Sequence, residues 1–167
     1  RWAGNLNWGY GHPILMFLYP LPSYLMSLFH FLDISLVNSF KLLIGISYSL
    51  SGIFMYLWLS KFLNKYAACA GAILYLFAPY RFVDIYVRGA IGEHVAFVFM
   101  PLTLLGLYKI FQINKLKIRS YYLSFIFSSI SFAFLILSHN AISLLFIPFI
   151  IFYILYIVSG VCTVICL

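Results

Sequence analysis

The sequence predicts an all-α, polytopic transmembrane bundle, and three observations predict it. Of the 167 residues, 65% are apolar and only 8% are charged, whereas about a quarter of a soluble domain is charged. Mean hydropathy is +1.08. Apolar runs long enough to cross a bilayer recur along the chain, and strand alternation is absent. A soluble domain of this length would need a polar surface that these residues cannot build, so lipid covers most of it.

Taken in order, residues 1–37 read as an extracytoplasmic loop with a juxtamembrane helix. Within it, "HPILMFLYPLPSYLMSLFHFLD" is apolar enough to span, but spanning would reverse the orientation of everything after it. Pro13, Pro20 and Pro22, with His12 and His30 and amphipathic aromatics, favour an interfacial or re-entrant helix instead. Five spans are expected over about 38–61, 66–80, 94–111, 120–138 and 141–159, the second being short. Asn38 is the expected N-cap of the first span. Pro101 and Pro148 fall inside later spans, which membrane helices tolerate when neighbours satisfy the freed carbonyls.

Orientation follows from where Lys and Arg collect. Lys61 and Lys65 mark one connection, and Lys109, Lys115, Lys117 and Arg119 mark another, so both are expected to face the cytoplasm. Arg1, Lys41, Arg81 and Arg88 fall on the other side with all three acids, Asp33, Asp84 and Glu93. Multi-pass insertion in the cell membrane with an extracytoplasmic active face is the resulting expectation. Membrane lipid is the expected surrounding partner, no nucleic acid is expected, and oligomeric state stays open. Cys69, Cys162 and Cys166 lie in apolar runs without a paired framework or metal-ligand neighbours. They read as packing residues, with lipidation of the last two as the alternative.

Two of the three acids stand in "APYRFVDIYVRGAIGEH", residues 78–94. On an α-helix, Arg81, Asp84 and Arg88 share a face by their i, i+3 and i+4 spacing. Gly89 and Gly92 would loosen the backbone and let Glu93 turn back toward them. Two guanidinium forks near a membrane surface suit an anionic group such as a phosphate, and a nearby carboxylate suits a base. The competing reading is that these charges pair with one another and hold the loop to the helix tops. His139 and Asn140, in "SHN", belong either to the same cluster or simply to a polar helix end. In "NLNWGYGHP", Asn7, Trp8, Tyr10 and His12 form either an aromatic belt around a Gly-rich turn or a loop that holds a sugar or acceptor. Neither His12 nor His30 has a partner at zinc-ligand spacing, so no metal site is read from the sequence.

The segments "NLNWGYGHPILMFLYPLPSYL", "APYRFVDIYVRGAIGEHVAFVFMPLTLLGL" and "LSHN" together resemble a family of uncharacterised prokaryotic integral membrane proteins labelled 6-pyruvoyl-tetrahydropterin synthase-related. The pterin enzyme of that label is soluble and zinc-binding, and its histidine set has no counterpart here. The order of elements, including "AILYLFAP", is similar to the GT-C superfamily of polyprenyl-phosphate-sugar-dependent glycosyltransferases. That resemblance implies a sugar donor on a polyprenyl phosphate in the outer leaflet. Arg81, Arg88, His139 and Asn140 would hold its phosphate, and Asn7, Trp8, Tyr10 and His12 its sugar or the acceptor. Asp84 or Glu93 would act as catalytic base.

In such enzymes an acid in the first outer loop activates the acceptor or binds a metal, which leaves a divalent metal open as cofactor. Residues 1–32 contain no Asp or Glu. The chain begins without Met and ends in an apolar run, so it is expected to be a fragment whose upstream part carries one more span and the missing acid. The rival classes are a lipid or polysaccharide transporter or flippase, which also places charges beside broken helices, and a noncatalytic lipid-binding membrane protein.

The topology is directly testable. Single-cysteine replacements of Lys65 and Lys117, in a background lacking the native cysteines, should react only from the cytoplasmic side. Replacements of Tyr86 and His139 should react only from outside, and outside labelling at position 117 would overturn the orientation.

Overall fold

The computed structural model describes residues 2–13, 19–112 and 118–165, without the side chains of 118 and 160–165. Arg1, Lys115, Lys117 and Cys166 therefore lie outside the described residues, as does the side chain of Cys162. Among the described residues, five helices are long and apolar enough to cross a membrane. The first, α2 (Leu36–Leu59), follows a short helix α1 (Leu21–His30). Ten residues extend about 15 Å, half a bilayer core, so α1 is too short to span. The expectation of strand-free structure needs one small correction: Trp2–Ala3 pairs antiparallel with His12–Pro13, closing the N-terminal segment into a loop.

The start of α2 also differs from expectation. Ser35 rather than Asn38 is the N-cap, its hydroxyl accepting from the Asn38 backbone N–H at 3.4 Å. Asp33, in the left-handed region at φ +61°, turns the chain from α1 into this cap. Asn64 caps the next helix, α3 (Lys65–Leu76), by accepting from the Ala67 N–H at 2.8 Å.

The second span is longer than the 66–80 run suggests, because it continues through a break. Helix α3 ends at Leu76, and Pro79 forces Ala78 into an extended conformation and opens α4 (Pro79–Val83). A π-helical turn over Asp84–Arg88 follows and ends at Gly89, at φ +61°. The third span, α5 (Ile91–Gln112), begins two residues later, followed by α6 (Ile118–Ser138) and α7 (Asn140–Ile165).

Breaks in a membrane helix leave carbonyls that lipid cannot satisfy. Two tyrosines answer two of them. The Tyr48 hydroxyl donates to the Leu76 carbonyl at 3.0 Å, beside the α3–α4 break. Pro101 removes the N–H that would bond the Phe97 carbonyl, and the Tyr75 hydroxyl donates to that oxygen at 2.8 Å.

Half of the α5 spanning window is buried, against 17–22% for the other spans, so α5 is the central helix. It packs against α2, α6 and α7, with an apolar core of Ala96, Leu135 and Phe146. Cys69 is exposed on α3 rather than packed in the bundle. At one end of the bundle the Trp58 indole N–H donates to the Tyr153 hydroxyl at 2.9 Å, tying α2 to α7. Lys61, Lys65, Lys109 and Arg119 come to that end, and Asp33, Arg88, Glu93 and His139 to the other.

Gly106 lets α5 and α6 meet. A Cβ there would stand 2.9 Å from the Ser128 Cα, an atom that cannot swing aside. At Gly52 the neighbour is only the tip of the Leu76 side chain. Gly106→Ala should therefore cost about 1–3 kcal/mol, and Gly52→Ala distinctly less. Thermal unfolding in detergent measures both, and equal losses would contradict this packing.

Candidate functional site

At the acidic end of the bundle, α4, the π-helical turn and the first turn of α5 place four polar side chains together. Arg88 reaches forward over Gly89 to Glu93: Nη2 donates to Oε1 at 2.6 Å and Nη1 to Oε2 at 3.0 Å. Nη1 also donates to the Tyr80 hydroxyl at 2.6 Å, and that hydroxyl donates to Glu93 Oε2 at 2.6 Å. Asp84 stands behind this pair, 3.5 Å from Arg88 Nη1. Glu93 is nearly sealed and Asp84 fully sealed, but the Arg88 side chain remains 46% exposed.

This geometry uses one edge of the guanidinium. Glu93 and Tyr80 occupy the end formed by the two Nη groups. The side edge, Nε–H with the second Nη2–H, has no acceptor among the described residues. That edge is a two-donor fork of the shape that two oxygens of a phosphate or carboxylate fit.

His139 completes the cluster from the α6–α7 turn, its Nε2 3.7 Å from Glu93 Oε1. Its Nδ1 accepts from the Ile142 N–H at 3.2 Å, so it caps α7, and the ring proton of the neutral form lies on Nε2, toward Glu93. The Tyr19 ring packs on the imidazole at a centroid distance of 4.5 Å. A Cβ on Gly92 would occupy that Tyr19 ring, so Gly92 makes room for a neighbour rather than loosening the chain. Burial pushes the His139 imidazole below its ordinary range, partly offset by Glu93 and reinforced by Arg88. The Tyr19 phenol is pushed up by burial and, to a lesser extent, by Glu93 and Asp84.

Several sequence-based assignments need correction. Arg81 does not join Arg88 at the surface: it is 1% exposed, donates from Nη1 to the Ser51 hydroxyl at 2.7 Å and lies over the rings of Tyr48, Tyr75 and Phe97. The α-helical spacing argument failed because the π-helical turn shifts Arg88 around the axis relative to Arg81. As a base, Asp84 is sealed from any acceptor, and both oxygens of Glu93 are engaged by Arg88 and Tyr80. Asn140 is exposed at the start of α7, and among the described residues no side-chain hydrogen bond ties it to the cluster. Asn7, Trp8, Tyr10 and His12 are exposed in the N-terminal loop, and no hydrogen bond or ring contact among the described residues joins them to the cluster.

The residues that sequence reasoning missed are Tyr80, Tyr19, Tyr48, Tyr75, Ser51 and His94. Only Tyr80 carried a local signal, being adjacent to Arg81 in "APYRF". Among the described residues, no group of three or more His, Cys, Asp or Glu side chains converges to hold a metal ion. With Glu93 engaged by Arg88 and Tyr80, the cluster does not fit a divalent cation.

Among known proteins, the chain is 28% identical over 155 residues to an uncharacterised protein of Lactococcus lactis subsp. cremoris (strain MG1363). The match covers 90% of this chain and 24% of that protein, so the chain spans about a quarter of the relative's length. No family model and no solved structure matches.

His139 gives a pH prediction. Because its folded-state value lies below the ordinary 6.5, the unfolded chain binds the proton more readily. The stability linked to this residue is therefore complete above pH 6.5 and is lost as pH falls through the folded value. His139→Gln should flatten the acid side of the stability profile in detergent at constant ionic strength. An unchanged slope would assign acid sensitivity to other groups.

Proposed function

We propose that this membrane bundle binds a lipid-linked phosphate at the free edge of Arg88, on the extracytoplasmic face. The single observation carrying the reading is that Arg88 is held rigidly by Glu93 and Tyr80, yet remains about half exposed with an unused donor pair. Held this way, the fork is preorganised for an anion, and it loses little side-chain freedom on binding. His139, beside Glu93, adds a second polar group at the rim.

Together with the resemblance to GT-C enzymes, this supports a glycosyltransferase that moves a sugar from a polyprenyl-phosphate donor to an acceptor. In that reaction the sugar's anomeric carbon leaves the lipid phosphate for the acceptor oxygen, and Arg88 stabilises the charge that builds on the departing phosphate. Glu93 and Tyr80 position Arg88 rather than act on the acceptor. The acceptor's proton has to pass to a base other than Asp84 and Glu93, whose oxygens are sealed or engaged. The exposed Trp8 and Tyr10 would offer flat faces to a sugar ring.

A second reading has its own observation. The second span, Lys65–Arg88, is broken near its middle, with Arg81 and Asp84 buried just after the break. Charged groups at a discontinuous helix are the pattern expected of a transporter or flippase. Transfer of radiolabel from a polyprenyl-phosphate sugar to acceptor by the full-length protein separates the two readings.

The site itself is tested on Arg88. Arg88→Lys keeps the charge and removes the fork, so affinity for polyprenyl phosphate should fall by about 1.5–3 kcal/mol, roughly tenfold to a hundredfold. The double change Arg88→Ala with Glu93→Gln removes the fork together with the charge of its closest carboxylate partner and should lose binding to at least the same degree. If the double variant folds and binds like the parent, the cluster is a structural ion pair and the assignment fails.

A further inference from the structure

Beside the break in the second span, three buried side chains have polar atoms without a hydrogen-bond partner among the described residues: Arg81 Nε and Nη2, Asp84 Oδ2 and His94 Nδ1. All three residues are at most 1% exposed. A buried polar atom left unpaired costs about 1–3 kcal/mol, and more when the group is charged. Four such atoms in one layer of a single bundle call for a common partner.

The chemistry of the four atoms identifies it. The free positions on Arg81 are donors, and Asp84 Oδ2 is an acceptor. His94 Nδ1 is an acceptor too, because Nε2 faces the Ile44 carbonyl at 3.3 Å and carries the ring proton. An anion would satisfy Arg81 and oppose Asp84, and a cation would do the reverse. Hydrocarbon would satisfy none of them. Water both donates and accepts.

The geometry leaves room for it. Among the described residues Arg81 and Asp84 make no ion pair within 4.0 Å, although each charge acts on the other. The Tyr48 ring links the two ends of the layer, since Arg81 lies 4.9 Å from its centroid and the His94 ring stacks on it at 6.2 Å. At the His94 end, among Ile44, Ile85, Gly89 and other apolar residues, is a cavity of about 10 Å³, close to the space one water molecule needs, although Arg81 and Asp84 do not line it.

We propose that buried water bridges Arg81, Asp84 and His94, making an internal hydration site at the break. The bridge joins Ser51 and Arg81, deep in the bundle, through Asp84 to Arg88, Glu93 and His139 at the surface. One polar path then runs from core to rim, and the two arginines are coupled through it. The inference does not depend on the ligand or reaction assigned to Arg88.

Radiolytic hydroxyl-radical footprinting of the full-length protein in lipid nanodiscs tests it, because bound water generates radicals beside buried side chains. Phe97 and Phe99 make a matched pair: both are half-buried on α5, but Phe97 faces Arg81 and Phe99 packs into the apolar core. Phe97 should be oxidised several-fold faster than Phe99, with oxygen drawn from ¹⁸O-labelled water. In the double change Arg81→Met with Asp84→Leu, Phe97 should fall to the rate of Phe99. Equal rates for the two phenylalanines in the unmodified protein would overturn the proposal, whether or not the variant folds.

Discussion

The buried guanidinium of Arg81 is the constraint around which the upper half of the bundle is arranged. A bare cation in this position would cost several kcal/mol, and the protein answers with three aromatic faces within 5.4 Å and one hydroxyl at 2.7 Å. Those rings come from α2, α3 and α5, so satisfying one charge fixes three helices against each other. Two of the three rings are tyrosines whose hydroxyls also close carbonyls left open by the α3–α4 break and by Pro101. Cation burial and backbone irregularity are thus met by the same two side chains. Losing either tyrosine would expose both defects together.

Arg88 sits in the opposite situation, seven residues further along the same broken span. The π-helical turn carries it away from the Arg81 face, and Gly89 then reverses the chain so that Glu93 can meet it end-on. Tyr80 closes the arrangement by donating to the carboxylate while accepting from the guanidinium. What emerges is one arginine enclosed by the fold and one held half-exposed at the surface. The positive charge on this face is therefore divided between a buried and a half-exposed position, although the sequence presents the two residues alike.

That difference marks how far sequence reading reaches here. The five spans were legible because bilayer thickness sets run length directly, and Lys and Arg placement groups their ends. The meeting of Asp84, Arg88, Glu93 and His139 was legible from topology, since it needs only that the ends of three helices share a face. The orientation of Arg81 was not. It depends on a π-helical turn, which shifts side chains by a fraction of a helical turn and leaves no periodic signature in so short a segment. The aromatic cage was hidden for a related reason, because Tyr48, Tyr75 and Phe97 are scattered among 35 Phe, Trp and Tyr residues. The cap at Ser35 was displaced from Asn38 because Asp33 and Ile34 already turn the chain before the apolar run begins.

Asp84 shows why the two halves of this face belong to one system. Its carboxylate is fully buried, yet its only direct contact with a cation is the 3.5 Å approach of Arg88. That distance is too long for a strong charge-assisted bond, so Arg88 alone does not compensate the buried charge. Glu93 already takes the shorter and better aligned donors of the same guanidinium. On the other side, Arg81 holds donors that no acceptor among the described residues meets. Asp84 therefore stands between the two arginines, and its buried carboxyl joins the polar cluster at the surface to the interior of the bundle.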